Sequence, residues 1–187
     1  MKRSEALKPL SREHHQALFV CKTIKDSDSI EEAAGVFTDF WFREGAQHFR
    51  IEEEVLLPGS GLPGPSSDEG VARMLDDHLE IRRGAGKVIA GDASLAEIKL
   101  LGSVLHDHVR FEERDLFPRI ESRIDPESLE RLRQDIEAAE VRTALTIEPR
   151  DGRLCVFMPP VRELEDYLEL LTAVEETAAA RGMPIHI

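Results

Sequence analysis

The stretch HFRIEEEVLLP at 48–58 returns sixty residues later as HVRFEERDLFP at 108–118. In both copies a histidine is followed four residues on by a glutamate, and a proline closes a segment in which these polar groups stand among apolar residues. Charge is costly in apolar surroundings, so a chain that carries this pattern twice must bring the polar pairs somewhere they are satisfied.

Hydrophobic periodicity over the first 121 residues predicts four amphipathic helices. The first follows Pro9 with Ser11 as N-cap, and its apolar face is Leu10, Ala17, Leu18, Cys21 and Ile24. The second opens at Ser29, where Glu32 completes a capping box, carries Phe37, Trp41, Ile51 and Val55, and ends before Pro58. The breaker-rich loop PGSGLPGPSS separates two halves. The third starts near Ser66 with Glu69 as box partner, shows Val71, Leu75, Ala85 and Val88, and is stopped by Gly91. The fourth opens at Ser94 with Glu97, runs through Ile98, Leu101, Leu105, Phe111 and Leu116, and ends before Pro118. Two helical hairpins with short connections predict an up-down-up-down four-helix bundle. Each half reads alike: Glu13-His14 opens the first as Asp77-His78 opens the second, and each closes with His-x-x-x-Glu.

Residues three or four apart share a helical face. By that phase His14, His48, His78 and His108 fall on the apolar stripes, one per helix, with Glu52 and Glu112 one turn beyond their histidines. His15 and His106 turn away, and Glu53, Glu54, Glu113 and Asp115 read as solvated or capping charge. A lone histidine on an apolar face is ordinarily a hydrogen-bonded core residue, and one His-x-x-x-Glu pair is an ordinary side-chain pair. Four inward histidines and two inward carboxylates together are another matter, because a bound cation satisfies them jointly. Imidazole and carboxylate suit iron, manganese or zinc. Six ligands exceed the needs of one tetrahedral zinc and fit two metals sharing two carboxylates. The solitary Cys21 reads as core filler. Glu44, one turn before His48, could orient that imidazole, complete the coordination, or be a plain surface pairing.

At REHHQAL, HFRIEEEVLLP, DDHLEIR and HVRFEERDLFP the chain resembles the hemerythrin-like (HHE cation-binding) domain family over roughly residues 8–121. The resemblance implies that His14, His48, Glu52, His78, His108 and Glu112 are metal ligands and that the two glutamates bridge two non-haem irons. Oxygen-carrying members have a further histidine four residues after the third-helix ligand. Here that place is Arg82, which argues against reversible oxygen storage and leaves iron handling, oxygen or nitric oxide sensing, and redox chemistry. Ferritin-like di-iron bundles use Glu-x-x-His, which this chain lacks.

After residue 121 the pattern changes. Residues 126–141 predict a fifth helix capped by Asp125, with Pro126 in its first turn and Leu129, Leu132 and Ile136 on one face. RTALTIE and RLCVFMP are short β-type runs around a Pro-Arg-Asp-Gly turn; a helix and PIHI follow. This small ββαβ extension resembles a segment of bacterial proteins that join transglutaminase-like and amidoligase-like regions, without their catalytic machinery. The expected organisation is therefore a mainly α chain: residues 1–141 a hemerythrin-like bundle with an added helix, and residues 142–187 a small module that could form a homodimer.

With net charge −13 and scattered basic residues, nucleic acid and anionic membranes are not expected partners. Two cysteines and no apolar signal core suggest the cytoplasm. The leading expectation is a di-iron binding protein that binds or senses O2, NO or iron, with no catalytic residues assigned. The alternatives are a di-iron redox enzyme acting on O2 or peroxide, and a structural bundle with a metal staple.

Overall fold

The computed structural model describes residues 3–141, 146–150, 153–158 and 164–186. It is mainly helical and falls into two compact units, residues 1–136 and 137–187. In the first unit four long helices share one core. Helix α1 spans Lys8–Asp26. Helix α2 covers 30–59 without a break, alternating α-helical Ile30–Phe40, Ala46–Ile51 and Leu57–Gly59 with π-helical turns at Trp41–Gly45 and Glu52–Leu56. Helix α3 is Glu69–Ile89. Helix α4 covers 95–123, with a π-helical turn at Glu112–Leu116 between Leu95–Phe111 and Phe117–Arg123. α1 packs mainly on α4, α3 on α4, and α2 touches the other three. Their shared core includes Ala17, Val20 and Ile24 of α1, Phe37, Trp41 and Phe49 of α2, Ile81 and Ala85 of α3, and Leu101, Leu105 and Val109 of α4.

Several helix ends differ from the sequence expectation. Ser11 does not cap α1, because Pro9, which lacks an N–H, is tolerated inside the first turn. Ser11 instead lies within the helix and donates a hydrogen bond to Glu113. Ser29 caps α2 as expected, but Glu32 answers Ser27 rather than the Ser29 backbone, so the box is only half formed. Helix α3 is capped not at Ser66 but by Asp68, whose carboxylate accepts from the backbone N–H of Gly70 and Val71. A carboxylate at that end also opposes the positive end of the helix dipole. The expected stop at Gly91 is present as a glycine with φ of 75°. Ser94 and Glu97 form the full reciprocal box on α4.

The two prolines expected to end helices do not. A proline ring presses on the carbonyl four residues back. Here the wide π-turns, with Leu57 N–H bonded to Glu52 O and Phe117 N–H to Glu112 O, come just before Pro58 and Pro118. The backbone is already opened where the ring must fit, so both helices continue past it.

Helix α5, Pro126–Val141, starts on Asp125, which accepts from the N–H groups of Glu127 and Ser128. Its Leu132 and Ile136 are buried in the first unit, with Leu132 pressed against Gly59. In the second unit β1 (Thr146–Arg150) pairs antiparallel with β2 (Arg153–Phe157). Helix α6 (Leu164–Arg181) then returns the chain so that β3 (Ile185–His186) runs parallel to β2, the connection a parallel pair requires. The expected Asp-Gly turn at 151–152 and the run at 142–145 lie outside the described residues.

Ser94→Ala should lower stability by about 1 kcal/mol, whereas Ser66→Ala should stay within about 0.5 kcal/mol. Urea unfolding followed by circular dichroism measures both, and equal losses would show that α3 starts at Ser66 after all.

Candidate metal centre

The shared core of the four helices holds His14, His48, Glu52, His78, His108 and Glu112, all buried, with Glu52, Glu112 and His78 at 0% exposure. Each helix supplies one histidine, and α2 and α4 supply the glutamates from the first position of their π-turns. The side chains form two groups of four: His14, His48, Glu52 and Glu112, then Glu52, His78, His108 and Glu112. In each group one ligand atom per residue lies within 4.8 Å of all the others. Both glutamates belong to both groups.

The tautomers follow from what stands behind each ring. Nδ1 of His14 lies 2.7 Å from Glu113, Nδ1 of His48 2.6 Å from Glu13, and Nδ1 of His78 2.7 Å from Glu53. An ionised carboxylate only accepts, so each Nδ1–H donates and each neutral ring turns a bare Nε2 lone pair inward. There Nε2 of His14 and His48 are 3.0 Å apart, and Nε2 of His78 and His108 are 3.2 Å apart. Two lone pairs at that distance repel unless a cation or a proton lies between them. Two nitrogens bound to one metal by bonds of about 2.1 Å at a right angle would stand about 3.0 Å apart.

The glutamates complete the arrangement. Glu52 places Oε1 3.0 Å from His48 Nε2 and Oε2 3.3 Å from His78 Nε2, so its two oxygens address different histidine pairs. Glu112 Oε2 lies 3.1 Å from His14 Nε2 and 3.4 Å from His108 Nε2. None of the four carboxylate oxygens is aligned as a hydrogen bond despite full burial. A buried polar group left that way costs about 1–3 kcal/mol, more if charged. This donor set, nitrogen lone pairs and orphaned carboxylate oxygens converging from four helices, fits a pair of cations.

Electrostatics in the metal-free protein point the same way. Burial favours neutral imidazoles, but the nearby Glu112 carboxylate and the hydrogen-bonded Glu113 outweigh it and raise His14. Likewise Glu52 and Glu13 raise His48 well above the ordinary range against its burial. Burial also resists ionisation of Glu52, yet His48 and His78 hold it well below the usual carboxylate range. The two inward glutamates thus favour positive charge at the places that cations would take.

The acidic residues behind the rings are where the sequence reading fell short. Glu53 and Glu113 are not solvated or capping charge. Glu53 holds His78 and is itself gripped by Arg82 at 2.6 and 3.0 Å. Glu113 holds His14 and accepts from Ser11 and Arg3; against its burial these bonds lower its carboxyl to about 2. Glu54 and Asp115 do pair at the surface, with Arg50 and Arg119. The available signal was the repeat itself. The acidic residue before each first histidine turns to the second histidine of its own half, Glu13 to His48 and Asp77 toward His108. The glutamate after each inward glutamate crosses to the other half, Glu53 to His78 and Glu113 to His14. Asp77 is the loose member, 3.6 Å from His108 Nδ1, too long for a hydrogen bond.

Arg82 packs toward Phe49, whose ring stacks on His78 at 3.8 Å. It therefore braces an imidazole through Glu53. His15 and His106 are exposed, as their helical phase requires. Glu44 does not orient His48, whose Nδ1 is taken by Glu13. It lines a small cavity beside the His14–His48 pair. Cys21 is a buried core thiol, pushed up to about 12 by that burial.

A four-helix core with two histidine pairs sharing two buried glutamates defines a class of helical cation-binding domain, and comparison with protein families gives the same class. The chain belongs to the Hemerythrin HHE cation binding domain family, whose model matches residues 5–120, and also to the family described as Putative amidoligase enzyme (DUF2126), matched over residues 82–187. Comparisons with curated proteins and with solved structures return no significant match. Among the described residues no helix is long and apolar enough to cross a membrane.

Glu53→Ala and Glu113→Ala should weaken metal binding about 10–100-fold, the usual effect of removing the partner behind a ligating imidazole, while His106→Ala leaves it unchanged. Because the raised imidazoles must release protons to bind a cation, apparent affinity should fall as pH drops through their raised range. Chelator competition at a series of pH values reads both effects; a pH-independent affinity would show that the imidazoles are not raised as described.

Proposed function

We propose that this chain is a non-haem di-iron protein of hemerythrin type. His14 and His48 hold one iron, His78 and His108 the other, and Glu52 and Glu112 are shared between them. The observation that carries this reading is the pair of fully buried glutamates whose oxygens have no aligned hydrogen bond and whose only close partners are bare imidazole nitrogens. Iron bound there supplies one-electron chemistry and a coordination position for a small molecule such as O2 or NO. The protein's own groups set the terms: three carboxylates behind the rings of His14, His48 and His78 fix their orientation, and apolar side chains such as Phe49 and Leu105 limit access. Nitrogen and oxygen donors without a thiolate suit iron, with manganese or zinc as weaker alternatives. Arg82, standing where oxygen carriers of this family have another histidine, favours sensing or iron handling over oxygen storage.

The same reading extends to organisation. Residues 1–141 form an up-down-up-down bundle with an added helix, and residues 142–187 form a ββαβ module that pairs two copies in the cytoplasm. A sheet of three short strands is small for independent stability, which supports a role in assembly.

Elemental analysis of protein made in iron-sufficient medium should give close to two iron atoms per chain. About one metal per chain, with zinc dominant, would contradict the di-iron reading. Light scattering should show a dimer for the full chain and a metal-binding monomer for residues 1–141; a full-length monomer would exclude the pairing role.

A further inference from the structure

The centre has an approximate two-fold plan, and one feature breaks it. The π-turns at Glu52–Leu56 and Glu112–Leu116 match each other. The third, Trp41–Gly45, has no counterpart in the second half, where Leu95–Phe111 is continuous α-helix. Four residues before His48 this extra turn carries Glu44; four residues before His108 the matching place is Val104. Gly45 allows the turn to pack closely, since a Cβ there would lie 2.9 Å from the Phe40 ring.

Glu44 lines a small cavity with about 10 Å3 of space open to the centres of water-sized atoms, room for one molecule of one or two heavy atoms. His14 and His48 stand on it, and its apolar wall includes Ala17, Phe40, Leu105 and Val109. Glu13, also on the rim, is engaged with His48. Glu44 is half-buried and, among the described residues, has no hydrogen bond or ion pair. Partial burial and the neighbouring Glu13 charge both raise its carboxyl. An apolar cavity for a diatomic gas gains nothing from a carboxyl group, and an apolar side chain such as valine would serve it better. A partly buried carboxyl without a protein partner is satisfied only by water or by a ligand that can hydrogen-bond to it.

Building on the two-metal reading above, we propose that Glu44 is a specificity-determining residue for the small molecule in this cavity. With its inner atom at the His14–His48 end, the ligand presents its outer atom to the Glu44 carboxyl. That arrangement selects hydrogen peroxide or a similar protonated two-oxygen species, which hydrogen-bonds at both ends, over nitric oxide, whose outer atom is a poor partner.

The test uses the full iron-loaded chain as wild type, Glu44→Val and Glu44→Gln. Metal content is measured for each, with the nitric oxide dissociation constant by optical titration and KM and kcat for reduction of peroxide to water with an added one-electron donor returning the iron to the ferrous state. Glu44→Val should keep its iron, raise the peroxide KM at least about tenfold, the scale of one lost hydrogen bond, and leave nitric oxide affinity within about threefold. Glu44→Gln, which still hydrogen-bonds, should recover most of the peroxide KM. An unchanged peroxide KM in Glu44→Val overturns the inference. So does equal weakening of both ligands, which would report cavity shape alone, or loss of iron, which would make Glu44 part of the metal-holding set. Wild-type protein that fails to load two irons overturns the two-metal reading and this inference with it; well-loaded protein indifferent to Glu44→Val overturns only the inference.

Discussion

The structure depends on the cost of burying charge. Six ionisable side chains fill the space that leucines and phenylalanines would otherwise take in a small helical core, and three of them have 0% exposure. Removing one partner from a buried charged set costs about 3–5 kcal/mol. The fold meets that cost locally by placing a carboxylate behind three of the four rings at hydrogen-bonding distance. Inward, the same rings and the two glutamates are left facing one another. The outer layer is met largely by protein groups, and the inner layer is a donor set suited to cations.

Much of this was legible in the sequence, because the helical period places residues on faces. His14, His48, His78, His108, Glu52 and Glu112 are where phase puts them, and so are the exposed His15 and His106. What phase could not reveal was a change of period. Three π-turns shift the face of α2 and α4, and they explain both why Pro58 and Pro118 fail to stop their helices and how neighbouring residues such as Glu52 and Glu53 can both serve the centre. Glu53 and Glu113 were misread for a related reason. Adjacent residues on an ideal helix point about 100° apart, so treating one as inward assigned the other to solvent, although it reaches a different helix.

The π-turns also show how position and function are coupled here. Insertions of this kind recur at functional sites in helices. Two of the three begin on the shared glutamates, and the third carries the one acidic residue on the cavity wall that has no protein partner. The aromatic layer around them is tight: Trp41 packs edge-to-face on Phe49, and Phe49 stacks flat on His78. The extra turn of α2 is therefore joined by a chain of ring contacts to an imidazole of the other half.

The crosswise bracing has a consequence for how the chain acquires its metal during synthesis. Chains emerge from the N-terminus and fold in units. When the first hairpin is complete, His14 still lacks Glu113, and the shared Glu112 has not been made. His78 already has its brace in Glu53, but its partner ring His108 is still to come. Every half-site waits for residues 108–113. Until the fourth helix docks, the first hairpin has His14, His48 and Glu52 without Glu112, and the third helix has His78 without its partner ring, so the full donor set exists only once the bundle has closed.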